Sequence, residues 1–495
     1  SSEIKSLILK WFKGQDIDFQ ENMEKLIKNF NDFGLPKTPL SVTMFLWIFE
    51  KQEKKPINNS VLVELFVENL LEKTNIENIY SETLSFKNKK RLLAFIAKYM
   101  KDNGKSEHDY YVDYVDLLGY INDYLKTRFT GKPQKVLDDF INRGILCYED
   151  VNQVKFKSGF FFHYFLSVYM EIDNEFKLEV FTDENYLNYI EEIGYYTGLK
   201  GDDFKVLEFT QKKLSEAFDE FNKSLLENPS KIDEVLEIRN KSNTIAFQLK
   251  SNNYQNKPSE KQIESMYDET LSNVPVQNSI PDKTANKYST KKNFDRVLKL
   301  ASSVLKNSED VDNFELKTNS YKNILISSIS FLMLYRDSLI GYYAKHNKKP
   351  QNFPKNIDFN LFVHVLPLIH QIMIYEWLGS QKLRPVVIDK IKKDDLELNM
   401  SQFEKFISVF LYADIKGSEY PQIIENFVKK TGFNYTKDLS FLKVMSYYHL
   451  RSKNQELDNF YLRLMADIKV SLGDLDKKGK SEFILNMEEK KKKGN

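Results

Sequence analysis

The chain has 495 residues, 41% of them hydrophobic, too long for a single core and suggesting roughly three domains. Lys and Arg number 72 against 71 Asp and Glu, and the resulting formal charge of +1 excludes a global field that would recruit nucleic acid or an anionic membrane. One cysteine, Cys147, excludes an intrachain disulfide framework and a thiolate metal cluster, and fits a reducing, cytoplasmic compartment.

Helical periodicity begins at once with Ile4, Leu7, Ile8, Trp11 and Phe12, and a chain opening Ser-Ser-Glu reads as a fragment or processed product. Glu3, Lys5 and Lys10 break up the apolar residues there, so no signal peptide is read. The stretch "DFGLPKTPLSVTMFLWIF" (32 to 49) sets Pro36 and Pro39 before a helix that is apolar all round, and such a helix belongs inside a larger body. Residues 60 to 73 predict an amphipathic helix, with Val61, Leu62, Leu65, Phe66, Leu70 and Leu71 opposite Glu64, Glu68, Glu72 and Lys73.

Residues 89 to 170 follow a different pattern. Helices are predicted at 89 to 101, 109 to 126 and 134 to 142, and "RGILCYEDVNQVKFKS" then supplies Gly144 as a helix stop, two β-prone runs and a polar turn at Asp150 to Gln153. Three helices and a hairpin make a winged-helix pattern, closed by the aromatic helix "GFFFHYFLSVYM". Helices continue from 173 to about 250. Residues 251 to 290, with Pro258, Pro275 and Pro281 amid polar residues, read as a linker or mobile loop. Helices resume at 293 to 306, 320 to 345, 359 to 378, 401 to 415, 420 to 431, 438 to 451 and 456 to 472. The runs "ILISSISFLMLY" (324 to 335) and "FVHVLPLIHQIMIYEWL" (362 to 378) are too short or too interrupted to span a bilayer and read as buried helices. The end, "EEKKKKGN", reads as a disordered charged tail. The fold class is therefore mainly α.

No catalytic constellation emerges. "GDLDKKGKS" (473 to 481) ends like a phosphate loop, but Lys478 stands where a glycine is needed and no buried strand precedes it. His364 and His370 are six apart with Pro367 between, whereas zinc pairs on a helix use four, so no metal site is read. Adjacent acids such as Glu191 and Glu192 or Asp202 and Asp203 diverge on a helix and do not make an acid/base pair. For nucleic-acid readout the third helix offers Lys132, Lys135 and Arg143, but Asp138, Asp139, Glu149 and Asp150 accompany them on the surface that would meet phosphate.

"LPKTPLSVTMFLWIFEKQEKKPINNSVLVELFVENLLEK" resembles the first helical domain of NACHT-type STAND nucleotide switches, where a Pro-containing loop leads into a buried helix and a later helix ends in Leu-Leu. "GILCYEDVNQVKFKSGFFFHYFLSVYM" is similar to the end of that family's winged-helix domain, and "EEIGYYTGLKGDD" (191 to 203) to a segment that follows it in bacterial members. The resemblance covers roughly residues 1 to 205. It implies that Pro39, or Pro36, packs on the adenine of bound ATP or ADP; the bland alternative is that both prolines only end one helix and start the next. The family's phosphate-reaching histidine falls at Ser158, which keeps hydrogen bonding but not charge, and its usual glutamate falls at His163. Walker motifs and arginine sensors are not in this chain, so nucleotide would be held by an upstream domain.

The expected organisation is a helical lid at 1–84, a winged helix at 85–172, a second helical domain at 173–250, the polar linker at 251–290, a helical sensor at 291–475 and the charged tail at 476–495. The resemblance implies the regulatory and sensor portion of a bacterial, antiphage-defence-like switch. A protein ligand at the C-terminal helices, such as a phage protein, would release lid and winged helix for homo-oligomerisation, with no membrane partner. Two alternatives stand beside it: a stand-alone helical interaction scaffold, and a winged-helix regulator that binds nucleic acid.

Overall fold

The computed structural model describes residues 10–11, 42, 46, 59–72, 84–104, 110–128, 131–249, 293–349, 358–395, 400–450 and 455–493. Pro36, Pro39 and the expected linker at 251–290 lie outside the described residues. The chain is mainly helical with one small antiparallel sheet, and it divides into two compact units, Ser1–Asp203 with Glu260–Arg296 and Phe204–Ser259 with Val297–Asn495.

In the first unit α1 (Asn59–Glu72) precedes α2 (Phe86–Asn103). Ser85 opens α2 by accepting from Asn88 N at 3.4 Å, and Leu92, Leu93, Ile96 and Met100 form its buried stripe. Then come β1 (Val112–Asp113), α3 (Tyr114–Lys126), α4 (Pro133–Asn142), β2 (Leu146–Asp150) and β3 (Gln153–Phe156). The sheet order is β1-β3-β2, with Val112 opposite Val154 and Leu146 opposite Phe156. Gly144 ends α4 at φ +73°, with Ile145 N bonded back to Phe140 O at 3.1 Å, the left-handed cap for which glycine is the cheapest residue.

The hairpin stands where the sequence places it. β1 does not follow from local pattern, because two residues are too few for an alternation and only the pairing with β3 defines them. α5 (Gly159–Ile172) is buried over almost its whole surface, between α2 and α7 (Ile190–Leu199), with α6 (Asn174–Val180) following it. Its rings are locked by neighbours: Phe162 stacks on Tyr110 at 5.0 Å, and Phe160 and Phe161 lie 6.1 and 6.0 Å from Phe66 of α1.

The second unit begins with α8 (Phe204–Glu227), which packs along the 33-residue α12 (Phe314–His346). Between them in sequence come α9 (Ser230–Leu236), α10 (Ile245–Gln248) and α11 (Phe294–Asn307), the last belonging to this unit from Val297. α13 (Phe359–Leu378), α14 (Arg384–Asp394), α15 (Gln402–Asp414), α16 (Tyr420–Lys430), α17 (Asn434–Leu450), α18 (Gln455–Ser471) and α19 (Lys477–Lys493) complete it. α15 is its innermost helix. The buried Asp233 of α9 caps α15 from a distance, accepting from Gln402 N (2.8 Å), Phe403 N (3.1 Å), Ser401 Oγ (2.9 Å) and Tyr435 Oη (2.5 Å).

One expectation changes. The charged end is helical to Lys493, because Asp476 caps α19 by accepting from Gly479 N at 2.6 Å and Phe483 and Met487, one turn apart, are buried. Adjacent Tyr447 and Tyr448 are both buried, since α17 packs against α18, α15 and α13. By length and composition α12 and α13 are apolar enough to cross a membrane, which core helices of soluble proteins also satisfy.

Candidate functional site

Among the expected nucleotide contacts, Ser158 is the described one. It sits at the turn from β3 into α5, is 6% exposed, and adopts an extended backbone at φ −141° and ψ 143°. Its hydroxyl makes no capping bond to the helix. The first turn of α5, the positive end of the helix dipole, begins at this residue, with Phe161 N bonded to Ser158 O at 3.1 Å, while the exposed Lys157 carries its ammonium over Gly144. A hydroxyl at a helix N-terminus is suited to an anionic oxygen.

One turn into α5, His163 Nδ1 donates to Glu192 Oε1 of α7 at 2.7 Å, and Glu192 is wholly buried. Glu191 and Glu192 are adjacent, and adjacent carboxylates diverge on a helix. They do diverge: Glu191 is exposed while Glu192 turns inward. The unread signal was the aromatic run around His163, which buries the imidazole and therefore demands a partner. A second cluster holds the end of this unit, where Lys177 Nζ donates to Tyr196 Oη and Asp203 Oδ2, both at 2.6 Å, and Tyr196 donates to Asp203 at 2.8 Å.

α1 is fastened to the sheet-bearing body by directional bonds as well as rings. Arg143, at the end of α4, donates from Nη1 to Leu70 O at 2.6 Å and from Nε to Asp139 at 2.7 Å. Lys89 of α2 also reaches Asp139 at 2.6 Å, Lys90 pairs with Glu64, and Ser60 Oγ donates to Gly194 O at 3.3 Å. Arg143 and Asp139 thus face inward and are spent on intramolecular contacts. On the outer side Lys155 is paired with Glu149, and Lys132, Lys135 and Asp150 are exposed.

In the second unit the buried ionic groups are packing devices. Asp438 accepts from Ile245 N (2.9 Å), Ala246 N (2.6 Å) and His364 Nε2 (2.6 Å). Asp414 accepts from Lys443 (2.8 Å), Gln371 (3.0 Å) and Tyr447 (2.6 Å). Lys390 lies between Asp394 (2.6 Å) and Glu404 (2.8 Å), and burial, only partly offset by that ammonium, pushes the Asp394 carboxyl up to about 6. Burial alone pushes the His370 imidazole down to about 3, so it is neutral. His364 and His370 do not converge, and no cluster of three metal-ligating side chains occurs among the described residues.

Residues 110–166 match the family model described as Novel STAND NTPase 4. The matched segment runs from just before β1 through α3, α4 and the hairpin into α5, and so contains Ser158 and His163. The match supports a STAND NTPase family for this chain. No curated protein and no solved structure matches it.

Proposed function

We propose that this chain is the regulatory and sensor portion of a NACHT-like STAND switch in bacterial antiphage defence. The lid containing Pro36 and Pro39, together with a winged helix formed by α2, β1, α3, α4, β2 and β3, closes over ATP or ADP held by an upstream core. A protein ligand at the C-terminal helices releases them, and the freed subunits oligomerise in the cytoplasm. The observation that carries this reading is the family match at 110–166, which falls on the helix-and-hairpin body to which α1 is bonded through Arg143. The strand order β1-β3-β2 supports the winged-helix identity, and the N-terminus of α5 at Ser158 suits a phosphate oxygen. To shift the switch decisively the ligand must prefer the open state by roughly 5 kcal/mol.

The test is ATP and ADP binding by calorimetry in protein that carries the nucleotide-binding core. Pro39→Ala removes about two methylenes of adenine packing, worth roughly 1.6 kcal/mol, so Kd rises about tenfold. Unchanged affinity in that variant removes the adenine role and returns Pro36 and Pro39 to helix punctuation.

A further inference from the structure

α10 (Ile245–Gln248) is a single helical turn held mainly by its main chain. At its start Asp438 of α17 accepts from Ile245 N at 2.9 Å and Ala246 N at 2.6 Å. At its end Lys469 of α18 donates to the carbonyls of Ala246 and Leu249, the latter at 3.0 Å. A carboxylate at the N–H end and an ammonium at the carbonyl end match the dipole of the turn. Before the turn, Asn434 of α17 donates from Nδ2 to Ile238 O at 2.9 Å, main chain again. Of residues 239–249 only Thr244 and Ala246 are buried; Ile245, Phe247 and Leu249 are half-buried and the rest are exposed.

The two charges are more than packing devices, because each keeps a partner of its own. Asp438, wholly buried, also accepts from His364 Nε2 at 2.6 Å, and Lys469, equally enclosed, is also paired with Asp474. A buried charge that loses its sole partner carries the full penalty of an unpaired ion. Here the turn can leave without orphaning either charge, so the site is preorganised for a replacement. In peptide recognition main-chain hydrogen bonds give affinity and a side-chain pocket gives selection, and the apolar side chain enclosed here is the methyl of Ala246.

We propose that the surface of α17 and α18 under α10, read out by Asn434, Asp438 and Lys469, is a peptide-recognition site that residues 239–249 occupy as an intramolecular stand-in. The protein ligand of the switch displaces them with a helical turn of its own, carrying a small side chain where Ala246 now sits. This deepens the switch reading above, on which it rests for the ligand's role, and adds the ligand's chemistry and its place. It requires neither nucleotide nor upstream residues.

The probe is a fluorescein-labelled peptide of residues 239–249, titrated into the whole chain and followed by anisotropy. Ala246→Trp in the chain vacates the site, and this variant should bind the peptide about tenfold or more tighter than the parent, whose own segment competes at a millimolar effective concentration. Adding Asp438→Asn and Lys469→Met to the vacated chain should abolish binding, as should Ala246→Trp in the peptide. A folded vacated chain that ignores the peptide overturns the proposal, and so does binding that is equal in the parent or indifferent to Asp438 and Lys469. Should Ala246→Trp fail to fold, hydrogen exchange on the parent decides: peptides covering 244–249 should exchange about 100-fold faster than those covering 439–448 of α17, by local opening. Equal protection makes the turn a fixed part of the bundle and overturns the proposal. Failure here leaves the nucleotide reading to its own Pro39→Ala test, and unchanged nucleotide affinity there leaves this one standing.

Discussion

Replacing His163 by Phe isolates the buried pair at the heart of the family-matched segment. The ring volume is nearly conserved and the surroundings are aromatic, so cavity terms are small. What changes is electrostatic: the wholly buried Glu192 carboxylate loses the imidazole that lies 2.7 Å away. Removing one member of a buried pair costs up to about 3–5 kcal/mol, because the carboxylate loses the hydrogen bond and the favourable field of the imidazole. Adding Glu192→Leu removes that charge too, and the double variant should return to within about 1 kcal/mol of the parent. Urea unfolding followed by circular dichroism reads both, and with two compact units the shift should fall in the transition of the first unit alone. A loss under about 1 kcal/mol in His163→Phe, or a double variant no better than the single, would refute the pair as a structural link between α5 and α7.

The second unit offers two pH-dependent tests. Asp394 has its carboxyl raised from 3.8 to about 6, so its ionised form opposes folding above that range, and Asp394→Asn should stabilise by roughly 2–3 kcal/mol at pH 7 and by nothing near pH 4, while Lys390 keeps Glu404. A thermal-melt series across pH checks this, and equal effects at both ends would contradict it. His370 moves the other way: its folded value is depressed from 6.5 to about 3, so its stability is fully present above pH 6.5 and is lost as pH falls toward 3. The slope is at most about 1.4 kcal/mol per pH unit, and His370→Phe should flatten it in acid unfolding curves.

What the sequence made legible was local. Gly144 as a helix stop, the turn near Asp150, and the stripe of Leu92, Leu93, Ile96 and Met100 are written within a few residues of one another, and the structure uses them as read. β1 depends on Val154, far along the chain, and so escapes any window of periodicity. Glu192 needed knowledge of which face of α7 meets His163, a tertiary fact. The end helix α19 misled for a different reason: its composition is that of a solvated tail, but Phe483 and Met487 one turn apart are enough to seat it against α18. α13 reads as buried from its hydropathy, yet Leu361, Ile369 and Ile372 are exposed, and its polar His364 and Gln371 are held by Asp438 and Asp414, partners far along the chain that no local window shows.

A winged helix that reads duplex sends the Arg and Lys of its third helix outward to phosphate and base edges. Here Arg143 is turned inward to Leu70 O and Asp139, Lys89 is drawn to the same carboxylate, and the outer face keeps Asp138, Glu149 and Asp150. Swinging Arg143 outward would leave the Leu70 carbonyl and the Asp139 carboxylate without its donors, at roughly 1–3 kcal/mol each. Arg143, one of the three basic residues offered for nucleic-acid readout, is instead one of the groups that bind α1 to this body, beside Lys90–Glu64 and Ser60–Gly194. That arrangement fits a domain whose partner is another part of its own chain.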